Sequence, residues 1–172
     1  MYKFFFVLAF ALISCSPPHY TFISPQKLAE EAAAKSYLPI KRYVVLPAYD
    51  FFSDDDPLFD LTVKLINENR WQEVKKALQT ANKHDPSFPL CNGLCYLKYK
   101  DYPNALANFN NYKGETHKCL CQLLIIDCQY ELSRPNADIK KLLGEYQKAL
   151  DCSNTEINRI VIQQRIKYLR YE

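Results

Sequence analysis

Residues 71–112, WQEVKKALQTANKHDPSFPLCNGLCYLKYKDYPNALANFNNY, decide the fold. Trp71, Val74 and Leu78 recur at the three-and-four spacing of one helix face, and that segment carries Ala81 before stopping at Asp85-Pro86. A second helix is predicted from about Pro89 to Tyr99, with Gly93 and Tyr96 inside it. A third starts near Tyr102 and carries Ala105, Phe109 and Tyr112. Tyr102, Ala105 and Phe109 repeat the spacing of Trp71, Val74 and Leu78 after 31 residues. Loops this short force consecutive helices to run antiparallel, so the stretch reads as a repeating helical hairpin.

The same pattern extends outward. Leu58, Leu61, Leu65 and Ile66 form an upstream helix that breaks at Asn67-Glu68-Asn69. Lys118 to Leu132, with Tyr130, and Ala137 to Leu150 form a further hairpin. Ser153-Asn154 caps a last helix to Tyr171, whose stripe Ile157, Ile160, Val161 and Leu169 would cover the open end. Only three glycines among 172 residues, with many Leu, Lys, Ala and Glu, favour helices over a turn-rich β architecture. A chain this long supports one core of useful size.

Gly93, Tyr96, Ala105 and Phe109 resemble the tetratricopeptide (TPR) repeat signature, in which a small residue admits a close neighbour and an aromatic fills the gap. Asp85-Pro86 falls where that family's repeat-ending proline lies. The chain departs from the pattern in its period of 31 rather than about 34 residues. It also has Thr62 where the glycine belongs and Val74 where a small residue belongs. The resemblance covers about residues 57–150. It implies an all-α fold: antiparallel helical hairpins stacked as a short TPR-like solenoid with a C-terminal capping helix. It also implies a concave face that binds extended peptides or partner helices. Carried across position by position, Phe59, Val63 and Asn67, then Leu94, Leu97 and Lys98, then Leu124 and Glu131 would line that groove. The competing reading makes several of these apolar residues core.

The amino terminus carries a different signal. Lys3 precedes an unbroken apolar run from Phe4 to Ile13. Ten helical residues rise about 15 Å, half the hydrocarbon core, so the run suits an export signal and not a span. Leu12-Ile13-Ser14-Cys15 resembles the bacterial lipobox, which implies cleavage after Ser14 and lipid on Cys15. Two or more acyl chains anchor stably where one does not. Ser16 after the cysteine resembles the outer-membrane address of enteric bacteria. The expected division is therefore 1–14 signal peptide, 15–56 lipidated tether, and 57–172 helical domain. Within the middle segment, residues 16–25 read as an extended tether and Gln26 to Leu38 as a helix. Arg42 to Pro47 read as an apolar strap, too short for an independent strand pair. Ser53-Asp54-Asp55-Asp56-Pro57 lacks the alternating ligands of a calcium loop and reads as a helix start, with Asp56 as N-cap and Pro57 at the first position.

Beyond Cys15 there are six cysteines, an even count that suggests disulfides in an exported domain. Cys91, Cys95, Cys119, Cys121 and Cys152 are expected at one end of the hairpin stack. Cys91 with Cys119 or Cys121, and Cys152 with another of the group, are the candidate pairs; Cys128 is expected as a buried thiol. A zinc site from His117, Cys119, Cys121, Cys91 and Cys95 is disfavoured, because Cys91 and Cys95 lie one helical turn apart and not in a knuckle. No nucleophile elbow or oxyanion-hole signal accompanies Cys119 and His117, so no catalytic residue and no cofactor is assigned. A formal charge of +3, without a basic run, does not suit nucleic acid, and nothing points to a small-molecule substrate. The expected function is a non-enzymatic adaptor in the bacterial cell envelope, at the outer membrane facing the periplasm. Its partners would be the membrane, through Cys15, and an envelope protein: an outer-membrane or secretion-complex component, or a wall enzyme. The alternatives are a surface lipoprotein contacting host or environment and a thiol-dependent enzyme.

Overall fold

A computed structural model describes residues 20–23, 27, 42–45, 56–134, 136–152 and 156–170. The signal and lipobox residues, most of the helix expected over Gln26 to Leu38, Ser153-Asn154 and the side chain of Ile157 lie outside the described residues. The described residues are mostly helical. Seven helices run in chain order: α1 (Pro57–Asn67), α2 (Trp71–Thr80), α3 (Phe88–Lys98), α4 (Tyr102–Asn111), α5 (Lys118–Ser133), α6 (Ile139–Cys152) and α7 (Glu156–Leu169).

The hairpin boundaries come from local backbone chemistry. Asp56 accepts a hydrogen bond from the Phe59 backbone at 3.1 Å, and Pro57 opens α1, as the sequence predicts. α1 ends on Asn69 at φ 58°, where the Asn69 N–H donates to Ile66 and the Arg70 N–H to Leu65. α3 ends in the same way on Lys100 at φ 61°, where the Lys100 N–H donates to Leu97 and the Asp101 N–H to Tyr96. These are paired left-handed C-caps, 31 residues apart. Asparagine enters that conformation readily; lysine does not, and the capping bonds offset its strain. The second helix of each hairpin then starts on Trp71 or Tyr102, and α2 stops at Thr80, short of Asp85-Pro86.

Packing follows. α1 lies against α2 and α3, α2 against α3, α3 against α4, and α4 against α5. At Gly93 an added Cβ would stand 2.4 Å from Phe109 Cε1, so only a residue without a side chain lets α3 and α4 come this close. Phe59, Val63, Trp71, Val74, Leu90, Leu94, Leu97 and Phe109 form the first core cluster, which Cys121, Leu124 and Cys128 of α5 complete. The opposite face of α5 (Leu123, Ile126, Tyr130) belongs to a second cluster with Leu142, Tyr146 and Leu150 of α6 and Val161, Ile162, Ile166 and Leu169 of α7. α5 is thus buried on two sides.

Inside the second cluster Asp127 is fully buried. The Arg165 guanidinium donates to it at 2.7–3.0 Å from Nε and Nη2, and the Tyr146 hydroxyl donates at 2.6 Å. Three helices meet on one carboxylate.

The strap reading needs correction. Arg42–Val45 (β2) pairs in parallel with Tyr20–Ile23 (β1), Phe22 opposite Val44. The partner strand lies 22 residues upstream, in the stretch predicted as tether, where no local turn signal announces it. The pair does not stand alone. β1 rests on α1 and β2 on α7, and the Phe22 ring meets Trp71 edge-on with centroids 4.8 Å apart.

Arg165→Met removes the cation that meets the buried Asp127 and is expected to cost about 3–5 kcal/mol in urea unfolding. Asp127→Leu with Arg165→Met and Tyr146→Phe removes all three polar groups and should recover most of that loss.

Candidate functional site

The groove residues carried over from the TPR resemblance fall in three places. Phe59, Val63, Leu94, Leu97 and Leu124 are buried in the first core cluster, so the core reading holds for these five and they do not line a groove. Asn67 and Glu131 are half-buried. Lys98 is exposed, its Nζ 5.0 Å from the centroid of the Trp71 ring. The faces of α1, α3 and α5 expected to line a groove are therefore mostly turned into the core.

An open groove of about 520 Å³ lies instead between α2 and α3. Lys75, Leu78 and Gln79 of α2 and Lys83 of the following turn line it. Facing them are Phe88, Asn92, Cys95 and Tyr96, with Tyr99 and Asp101 at and just beyond the end of α3. The α3 residues follow one another at helical spacing, so they form a single stripe distinct from the buried Leu90, Leu94 and Leu97. Tyr99, at 55% exposure, is among the largest apolar side chains open to solvent. The Asn92 amide donates to Asn108 Oδ1 at 3.0 Å, which ties the groove to α4. The glycine-aromatic motif drew the register elsewhere.

The cysteines resolve differently from the candidate pairs in part. Cys119, at the start of α5, is bonded to Cys152, at the end of α6, with Cα atoms 5.7 Å apart. Antiparallel helices bring those two ends together, as expected for Cys152 and another of the group. Cys91, Cys95 and Cys121 are free and buried, so the expected link from Cys91 to Cys119 or Cys121 does not form; Cys128 is a buried thiol as predicted. Cys91 faces Thr62 of α1, and burial pushes its thiol up to about 12. The Cys121 thiol donates to the Phe109 carbonyl of α4, and burial holds it at about 12 as well. Burial also raises Cys95, in the groove. Thiols held protonated at neutral pH are weak nucleophiles. No group of three His, Cys, Asp or Glu side chains among the described residues is placed to hold a metal ion.

A second polar cluster joins the N-termini of α1, α3 and α5. The N-cap residues are Asp56, Ser87 and His117. The Ser87 hydroxyl donates to Asp56 Oδ2, and His117 Nε2 stands 3.5 Å from the same oxygen. The His117 ring stacks on Phe59, centroids 3.7 Å apart, and its backbone N–H donates to the Tyr112 hydroxyl at 3.3 Å. Ser87 donates to the carboxylate and not to the imidazole, so the trio lacks the geometry that activates a serine. It works as a clasp across three helix starts.

Comparison with protein-family models, with curated proteins and with solved structures finds no match. The groove and the clasp therefore rest on their own geometry.

Burial lowers the His117 pKa below its usual 6.5, and the Asp56 carboxylate only partly opposes this. The folded state then binds the proton less well than the unfolded chain. The resulting stability is present above about pH 6.5 and is lost as pH falls through the lowered folded value. Urea midpoints measured between pH 8 and pH 5 should fall over that window. In His117→Phe, which keeps the stack on Phe59, that component of the fall should disappear.

Proposed function

We propose that the chain is a lipid-anchored, TPR-like adaptor of the bacterial cell envelope that binds a segment of a partner protein in the groove between α2 and α3. One observation carries the binding reading: a groove of about 520 Å³ has an exposed aromatic, Tyr99, at its rim. Ligand sites are concave and aromatic-lined, with a few polar groups that set orientation. The groove holds side chains and is too small for a globular face.

The TPR-like reading is supported by the 31-residue recurrence of helix starts and C-caps and by the Gly93–Phe109 approach. The anchor reading is supported by the apolar run Phe4 to Ile13, which ends inside Leu12-Ile13-Ser14-Cys15. No helix among the described residues is long and apolar enough to cross a membrane. The disulfide Cys119–Cys152 suits an oxidising compartment outside the cytoplasm. Envelope assembly complexes and wall enzymes remain the partner classes of choice, because a lipid anchor confines the groove to their neighbourhood.

Cys15→Ala should abolish fatty-acid labelling and release the chain from membranes; labelling that persists in this variant would remove the anchor reading. A photo-crosslinking amino acid placed at Tyr99 should capture a discrete envelope protein in cells. The same probe at exposed Gln122 of α5 should not. Equal capture from both positions, or none from either, counts against the groove.

A further inference from the structure

The charges around the groove are unevenly satisfied. Several cations elsewhere on the helical body are paired with carboxylates. Arg70 is held by Glu68 and Glu73, Lys118 by Glu115, Lys141 by Glu145 and Arg165 by Asp127. Lys98 lies over Trp71. Lys75 and Lys83, on the α2 side of the groove, are exposed and form no ion pair among the described residues. One carboxylate, Asp101, borders the groove, and it is turned to its own helix. Its Oδ1 accepts from the Asn104 backbone and its Oδ2 from the Asn104 amide at 2.7 Å. Across from the lysines lie the rings of Tyr96 and Tyr99.

We propose that the groove selects an extended peptide segment in which an aromatic or large apolar side chain is flanked by carboxylates. This rests on the peptide-binding reading of the same groove. The ring of the ligand seats on the aromatic side formed by α3, where Tyr96 and Tyr99 offer area at little entropic cost. Its carboxylates meet Lys75 and Lys83, which a neutral or basic ligand would leave unpaired. Two lysines make too small a basic surface for a phosphate backbone, which needs a track of cations. The charges confer selectivity more than strength. An exposed lysine–carboxylate pair changes affinity by roughly two- to fivefold, so two pairs set preference while the rings hold the ligand.

The test begins with a random dodecapeptide phage library selected against the full chain in detergent. The strongest sequence is then synthesised, fluorescently labelled and titrated by anisotropy. The proposal expects selected sequences in which acidic residues flank an aromatic or large apolar one. Replacing the carboxylates of the synthetic peptide by amides should weaken binding by roughly tenfold. Raising salt should weaken the acidic form and leave the amide form nearly unchanged. Lys75→Glu with Lys83→Glu, both exposed and confirmed folded by thermal unfolding, should weaken the acidic peptide by more than tenfold.

Three results would overturn it. Selected sequences without acidic residues, whose binding is lost in Tyr99→Ala, would leave the groove as a peptide site with another preference. An acidic consensus whose affinity ignores the amide exchange and the lysine reversals would place that ligand elsewhere on the surface. No enrichment at all would remove the peptide groove together with its chemistry. The peptide arms use the unaltered chain, so the proposal can fail even if the lysine variant does not fold.

Discussion

α5 is buried on both sides, and the remaining helices are arranged around that constraint. Its Cys121, Leu124 and Cys128 close the core built by α1 to α4, while Leu123, Ile126 and Tyr130 open the core shared with α6 and α7. A helix so placed has no solvated face wide enough to fix its rotation by amphipathicity. Asp127 supplies the missing constraint. A wholly buried carboxylate is tolerable in one orientation only, the one in which Arg165 and Tyr146 reach it. The disulfide from Cys119 to Cys152 ties the same helix pair at its other end. The two devices act on different states: the buried ion pair specifies the folded register, and the disulfide restricts the unfolded chain.

With α5 fixed, the first two hairpins have little freedom. Phe109 must enter the space left by Gly93, which sets the distance between α3 and α4. The clasp of Asp56, Ser87 and His117 then holds the N-termini of α1, α3 and α5 at one level. The α2–α3 side brings together an aromatic stripe, two lysines that form no ion pair among the described residues, and open volume.

Much of this was legible in the residues. Helix positions followed from the three-and-four spacing, from Pro57 and Asp56 at a start, and from the 31-residue echo of Trp71 in Tyr102. Cys152 returning to the level of α5's first turn followed from antiparallel order alone. The groove register was not legible. Gly93 and Phe109 align with the TPR motif, yet the α3 faces bearing Leu94 and Leu97 are covered by neighbouring helices, a tertiary fact with no local trace. The β1–β2 pairing was missed for a similar reason, since parallel strands 22 residues apart leave no turn signal. Asp127 was invisible as well. A single acid within LLIIDCQY reads as a solvated position until Arg165, 38 residues later, is brought onto it.

A partner bound in the α2–α3 groove must cover it when the protein sits in its native envelope. The most direct measurement is hydrogen exchange of the full chain in isolated native envelopes, compared with the same chain purified in detergent. Added protection confined to residues 75–99, with α5 to α7 unchanged, is the predicted result. Equal exchange in both settings, or protection gained only on α6 and α7, would contradict it.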